Sequence, residues 1–307
     1  MVRFPSPQAF LQSIILRRRA LPKDAPLLVV EGSSDHRTLS PFLESNVSVV
    51  PARGKDQVIR AFDELGPGLR KGVLFIVDCD GDIEDRLKGH LDFVITINRD
   101  MDADILFELG ALRRVAHEYL AGRAPDPDRV ICIGQELFDE AVQLSLYVGL
   151  ASRAARANKL RLRVVGSENG HRRSLQIGDL GGLEKMLSGG RYFSLPLIVD
   201  EMAKVLGWSE LEARNVLAGA TEIAEKPCRR HSQGNCVLCL RMSQCRGHTL
   251  MEAFALLLKV RHGIQVEPGE LERNCRIAAD SSRVASWGVA KRIRRWEISS
   301  GYRVLAS

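Results

Sequence analysis

A dense run of carboxylates follows a short apolar segment in the first third of the chain. The run is Asp78-Cys79-Asp80-Gly81-Asp82, and it comes directly after the apolar residues 73–77. Carboxylates this close repel one another unless a cation neutralises them, and such hard oxygen ligands suit Mg²⁺ or Mn²⁺. The run therefore predicts a divalent-metal site, although Asp and Gly after a strand also form ordinary polar turns.

A second acid stands in an equivalent place upstream. Residues 27–30 are another short apolar run, and they end in Glu31-Gly32-Ser33-Ser34-Asp35. Glycine after the acid allows a ligand or a backbone to come close, and either serine can cap a following helix. Because parallel strands of an open α/β sheet place their carboxyl ends at one edge, we expect both acidic segments there.

The elements that must position these acids are predicted from apolar periodicity up to about residue 120. Strands are expected at 27–31, 47–50, 73–78 and 93–97, and helices at 34–45, 54–65 and 102–119. This alternation predicts a parallel sheet with helices on both faces. Beyond Pro125-Asp126-Pro127 the pattern is mainly helical, with helices expected at 134–157, 194–206, 208–220 and 248–261, a helical stretch with breaks at 269–296, and a short strand at 160–165.

Composition indicates a chain of about two domains with a basic surface. The 307 residues carry a formal charge of +6 and are 45% hydrophobic, which allows a packed core and a polyanionic partner. No apolar stretch approaches the roughly 18 residues of a membrane span, and a secretory signal pattern is lacking. We therefore expect a cytoplasmic protein that does not bind a membrane. In the basic run at 290–296, Ile293 and Trp296 can pack while the cations face phosphates or only solvent.

The acidic motifs at 31–35 and 78–82 resemble those of the TOPRIM domain. This metal-binding fold is shared by topoisomerases, primases, recombination mediators and overcoming-lysogenization-defect (OLD) nucleases. Together with Gly54-Lys55 and the later Gly247-His248-Thr249-Leu250, they more narrowly resemble a bacterial family of stand-alone TOPRIM proteins. Members of that family serve as the toxic effector of the PARIS phage-defence system, beside an ABC-type ATPase. The resemblance implies an α/β fold with a TOPRIM-type parallel sheet.

The resemblance also implies roles for individual acids. Glu31 matches a metal ligand or general acid/base, and Asp78 and Asp80 match the pair that holds Mg²⁺ (or Mn²⁺). Asp82 is expected either as an outer ligand or as a solvated turn residue. Nuclease-type members carry a further acid after the fourth strand; here the candidates are Asp100, Asp102 and Asp104, of which Asp104 is favoured. Lys55 is expected to contact the scissile phosphate or to be an ordinary exposed lysine.

Hydrolysis of phosphodiesters is the expected reaction. Two ions about 3.5 to 4 Å apart would activate water and stabilise the leaving oxygen, whereas one ion with an acid/base would suit transesterification or primer synthesis. None of the four tyrosines stands in a topoisomerase-like setting. We expect a Mg²⁺-dependent nuclease that acts on tRNA, forms a homodimer and is controlled by an ABC-type ATPase. The alternatives are an OLD-type DNA endonuclease and a non-catalytic nucleic-acid-binding adaptor in DNA repair.

A cluster of cysteines and histidines is the other strong local signal. Its six candidate ligands are Cys228, His231, Cys236, Cys239, Cys245 and His248. Structural Zn²⁺ takes four S or N ligands, often in pairs two residues apart. We expect the four cysteines to bind Zn²⁺ with His231 as the substitute, and His248 to contact substrate or partner. The expected domains are an N-terminal helical extension (1–24), a TOPRIM domain (25–125) and a mainly helical domain (126–307) with the zinc-binding insertion 228–248.

Overall fold

The chain forms two compact units, and the first of them is made of two separate stretches of the sequence. The computed structural model describes residues 6–79, 86–121, 126–165, 172–189, 192–225 and 244–306. The first unit, here the sheet unit, comprises Met1–Gly110 and Ala279–Ser307, and the second, the helical unit, comprises Ala111–Ala278. These limits differ from the expected boundaries at 24/25 and 125/126. The reason is that residues 7–20 and 279–306 both pack in the sheet unit, whereas residues 111–121 pack with the helices that follow them.

The sheet unit is built on four parallel strands, which confirms the expected α/β class. The strands are β1 (Leu27–Val30), β2 (Ser48–Pro51), β3 (Val73–Val77) and β4 (Phe93–Ile95), in the order β2-β1-β3-β4. Every residue of β1 and β3 is buried. Because successive side chains of a strand point to opposite faces, burial of all of them means that both faces of the central strands are covered.

Helices before, between and after the strands belong to the same unit. They are α1 (Pro7–Ala20), α2 (Ser33–Leu39), α3 (Lys55–Glu64), α4 (Pro67–Arg70) and α5 (Met101–Glu108). Phe10 and Ile14 of α1 and Phe62 of α3 share one buried core with alternate residues of β1 and β3. The segment expected as a separate N-terminal extension is therefore part of the sheet unit, because its apolar side chains have their burial there.

The C-terminal segment, residues 279–306, completes the sheet unit. Its helix, α13 (Gly288–Ser300), contacts β4, and the backbone beyond it pairs with residues 42–44 through Glu44 N to Val304 O at 2.8 Å and Ala306 N to Phe42 O at 2.9 Å. Ile293 and Trp296 are buried, which confirms their expected packing. The breaks expected within the helical stretch 269–296 are present, because the chain passes from one unit to the other near Ala278 before α13 begins at Gly288.

The helical unit is organised around a single long helix. Its elements are α6 (Ala111–Leu120), α7 (Pro127–Ala157), β5 (Arg163–Val165), β6 (Arg172–Ser174), α8 (Gly181–Ser188), α9 (Leu195–Leu206), α10 (Glu210–Glu225), α11 (Gly247–His262) and α12 (Pro268–Ile277). The 31-residue α7 contacts α6, α9, α10 and α11. Asp126 caps α7 by accepting a hydrogen bond from Arg129 N at 2.7 Å, so the expected boundary is a helix start. None of the described helices combines the length and hydropathy needed to cross a bilayer.

Two glycines of α7 should respond oppositely to alanine. A Cβ on Gly149 would collide with the backbone carbonyl of Gln244, whereas one on Gly134 would meet Ala116 Cβ at an ordinary 3.4 Å. Alanine favours a helix interior over glycine by about 0.5–1 kcal/mol. We therefore expect Gly134→Ala to raise the melting temperature and Gly149→Ala to lower it, as measured by circular dichroism. A rise for both variants would contradict the close approach at Gly149.

Candidate functional site

Two of the predicted acids meet at the carboxyl edge of the sheet. Glu31 directly follows β1 and Asp78 directly follows β3, and these strands are parallel neighbours in the register Val30 to Ile76. The backbone N–H of Asp78 donates a hydrogen bond to Glu31 Oε1 at 2.7 Å, across 47 residues of sequence. The pairing of adjacent parallel strands thus brings a glutamate and an aspartate side by side at the edge where such sheets bind ligands.

The turn between β4 and α5 approaches the same edge. Met101 N donates a hydrogen bond to Asp78 Oδ1 at 3.1 Å, so the start of α5 orients that carboxylate. Asp100 caps α5, since its Oδ1 accepts from Ala103 N at 2.8 Å. Thr38 of α2 donates its hydroxyl to Asp102 Oδ1 at 3.0 Å. Asp100 and Asp102 therefore lie on a turn that contacts Asp78.

Asp104, which is favoured from the sequence as the further acid after the fourth strand, lies in a different environment from Asp100 and Asp102. Its side chain is 0% exposed. Oδ1 accepts hydrogen bonds from Asn98 N (2.6 Å) and Asn98 Nδ2 (2.7 Å), and Oδ2 accepts from Ile97 N (3.2 Å) and Trp287 Nε1 (3.2 Å). A metal ion at this carboxylate would have to displace those donors at the cost of leaving them buried and unpaired. The Asp104 carboxylate is therefore a buried acceptor of hydrogen bonds from the protein, which disfavours it as a metal ligand.

A second, partly buried carboxylate, Glu108, lies one helical turn after Asp104. Glu108 Oε1 accepts from Asn98 Nδ2 at 3.2 Å, and Oε2 accepts from Gly288 N at 2.7 Å. Burial raises the pKa of Asp104, and burial also raises the pKa of Glu108. The hydrogen bond from Gly288 lowers the Glu108 pKa in part, and the negative charge of Asp104 raises it again. This pair was not predicted from the sequence, although its four-residue spacing on one helix face was an available signal.

The Glu108 carboxyl should make stability depend on pH. Because its folded pKa is raised above the ordinary 4.5, its contribution to stability is fully present below that value and is lost as pH rises through the folded pKa. Glu108→Gln keeps an acceptor for Gly288 N but removes the titration. The melting temperature of the variant, relative to the unaltered protein, should increase from about pH 4 to about pH 8. A difference that stays constant over this range would contradict the shift.

Of the remaining candidates, Lys55, Asp80 and Asp82, the structure describes only Lys55. Gly54, whose φ of 105° suits glycine, donates its N–H to Glu31 O at 2.9 Å, and Lys55 is the first residue of α3. The start of α3 is thereby held beside Glu31, which is the expected setting for Lys55. Asp80 and Asp82 lie outside the described residues.

The zinc prediction falls largely outside the described residues, since Cys228, His231, Cys236 and Cys239 lie within 226–243. Cys245 is buried, and its thiol donates to Val142 O at 3.6 Å. His248 Nε2 lies 2.8 Å from Glu252 Oε1 on α11. Within the described ranges, no group of three or more His, Cys, Asp or Glu side chains could hold a metal ion, so a zinc-binding insertion is not shown.

Comparisons of the chain with protein-family models, curated proteins and solved structures find no significant match.

Proposed function

We propose that the sheet unit is the catalytic part of a Mg²⁺-dependent nuclease of TOPRIM type. The observation that carries the proposal is the meeting of Glu31 and Asp78 after adjacent parallel strands, joined by the 2.7 Å hydrogen bond from Asp78 N to Glu31 Oε1. A glutamate after the first strand and an aspartate after the third are the arrangement that the TOPRIM resemblance requires. The acids lie at the sheet edge where open α/β folds bind their ligands.

The donor types of this edge fit a hard divalent cation. Glu31 and Asp78 offer carboxylate oxygens at this edge, and Asp80 follows Asp78 by two residues. Mg²⁺ and Mn²⁺ prefer such ligands, and these three residues would hold the ion. When bound, the ion would supply charge stabilisation and activation of water for phosphodiester hydrolysis.

The chain's own residues restrict how the acids move. Asp78 is held twice, because its backbone N–H donates to Glu31 and its Oδ1 accepts from Met101 N at 3.1 Å. Glu31 is itself oriented by the first of these bonds, which directs one carboxylate oxygen toward the strand end. A preorganised pair of acids loses little side-chain entropy when it engages a ligand. Lys55, at the start of α3, would supply a cation for a substrate phosphate.

The charge pattern of α13 supports a nucleic-acid substrate. Lys291, Arg294 and Arg295 are exposed, while the opposite side of the helix is buried. Arg292 of the same helix donates to the carbonyl of Ile95, the last residue of β4, so α13 runs from the carboxyl edge of the sheet. Exposed lysine and arginine side chains on this helix suit binding of the phosphate backbone of a nucleic acid.

Substrate and partners follow from the resemblance and are part of the proposal. The substrate is tRNA, with duplex DNA as the alternative, and the chain acts as a homodimeric toxic effector of anti-phage defence, controlled by an ABC-type ATPase. In the cysteine-rich segment, Cys228, Cys236, Cys239 and Cys245, with His231 as substitute, would hold a structural Zn²⁺. Elemental analysis of the purified protein tests the zinc, whose absence together with reactive thiols would refute it.

Incubation of the purified protein with end-labelled tRNA and with duplex DNA tests the nuclease. We expect cleavage with Mg²⁺ or Mn²⁺, none with chelator, and none by a Glu31→Gln variant. Preferential cleavage of DNA would replace the tRNA assignment by the OLD-type alternative. Binding without cleavage of either nucleic acid, also in the presence of the partner ATPase, would overturn the nuclease and leave an adaptor role.

A further inference from the structure

A chain of hydrogen bonds connects the C-terminal segment to the acidic edge. Trp287 Nε1 donates to Asp104 Oδ2 at 3.2 Å across 183 residues of sequence, and Asp104 Oδ1 accepts from both nitrogens of Asn98. Trp287, Asp104 and Asn98 are 0 to 1% exposed. Water therefore does not compete for these bonds, and they hold residues 97 and 98 in one conformation.

The chain of hydrogen bonds continues from Asn98 to Asp78. Thr96 Oγ1 donates to Asn98 O at 2.8 Å and accepts from Cys79 N at 2.8 Å. Thr96 is 1% exposed, so its hydroxyl has no access to solvent as an alternative partner. From the other end of the same turn, Met101 N donates to Asp78 Oδ1. The backbone that follows Asp78 and the Asp78 carboxylate itself are thus both attached to the turn that Asp104 anchors.

A second attachment lies next to the first. Gly288 N donates to Glu108 Oε2 at 2.7 Å, and a Cβ on Gly288 would collide with the side chain of Ile97. The ring of Trp287 also packs edge-on against Phe42, with centroids 5.7 Å apart. The start of α13 therefore lies directly against the residues that precede Asp100, and it is fixed there by packing as well as by hydrogen bonds.

We infer that Trp287 is a positioning residue for the metal site. Its indole N–H holds Asp104, and Asp104 holds residues 97 and 98 of the turn between β4 and α5. This turn leads to Met101, whose N–H orients Asp78. The inference rests on the proposed function, because it assigns Trp287 a role toward the ion that Glu31 and Asp78 would bind. A segment distant in sequence would thereby control the metal affinity of the acidic edge without touching the ion.

Two matched tryptophan variants test this role. Trp287→Phe removes the indole N–H and retains an aromatic ring. Trp296→Phe is the control, because Trp296 is equally buried in the same segment and its Nε1 donates to Asp92 Oδ1 at 2.9 Å, beside the opposite, amino-terminal end of β4. Mn²⁺ binding is measured by electron paramagnetic resonance, the Mg²⁺ concentration for half-maximal cleavage by titration, and stability by thermal unfolding.

Both variants should melt at a lower temperature, but only Trp287→Phe should weaken Mn²⁺ binding and raise the Mg²⁺ requirement, by about 10- to 100-fold. Thr96→Val, which removes the hydroxyl between Asn98 and Cys79, should weaken Mn²⁺ binding in the same way and serves if the Trp287 variant does not fold. Unaltered Mn²⁺ binding by the folded Trp287 or Thr96 variant, or equal weakening by Trp296→Phe, would overturn the inference alone. Failure of the unaltered protein to bind Mn²⁺ or to cleave would overturn the proposed function as well.

Discussion

Glu31→Gln should reduce Mg²⁺-dependent cleavage by about 10²- to 10⁴-fold, the range for loss of a catalytic acid/base. The substitution keeps a side-chain oxygen to accept the hydrogen bond from Asp78 N, so the strand ends should stay in register. What it removes is the negative charge, which a general base requires and which strengthens the binding of a divalent cation. The rate of substrate cleavage at saturating Mg²⁺ is the measurement, with thermal unfolding as the check on folding.

Glu64→Gln is the matched control for this loss of charge. Glu64 is the last residue of α3 in the same unit, and its carboxylate pairs with Arg60 Nε at 2.5 Å on the surface. An exposed pair of this kind contributes about 0–1 kcal/mol, so neither cleavage nor stability should change much. If the Glu31 variant retained cleavage at the level of the Glu64 variant, the nuclease assignment would fail.

Asp104→Ala should lower the free energy of unfolding by about 3–5 kcal/mol, as removal of one partner from a buried charged network does. The substitution leaves four buried N–H groups, from Ile97, Asn98 and Trp287, without their acceptor. Each unpaired buried donor costs about 1–3 kcal/mol, and partial relaxation reduces the sum. Urea denaturation followed by tryptophan fluorescence measures the loss, because Trp287 and Trp296 both belong to the sheet unit.

Asp100→Ala supplies the comparison for Asp104. Its Oδ1 accepts from Ala103 N as the cap of α5, and loss of a cap costs about 1 kcal/mol. We expect the Asp104 variant to lose clearly more stability than the Asp100 variant. Equal losses would mean that water takes the place of the Asp104 carboxylate in the variant. The Asp104 carboxylate would then not be what anchors the turn between β4 and α5.

Much of the sheet unit could be predicted from local sequence patterns. The short apolar runs mark all four strands, because a strand buried on both faces has no polar alternation and ends where polar residues begin. Glu31 and Asp78 stand directly after two such runs, so the parallel order places them at one edge. The helices of the sheet unit show apolar periodicity only where they contact the core, as in α3.

The sequence by itself determined which residues end the central strands, and therefore that Glu31 and Asp78 share an edge. Only the tertiary structure decided that Asp104 is buried and bonded to Trp287, and that residues 279–306 return to the sheet unit after the intervening helical unit. Strand ends are local features, written in a few consecutive residues. The contacts of Asp104 join positions 183 residues apart, and no local pattern specifies which distant donor will pair with a buried acceptor.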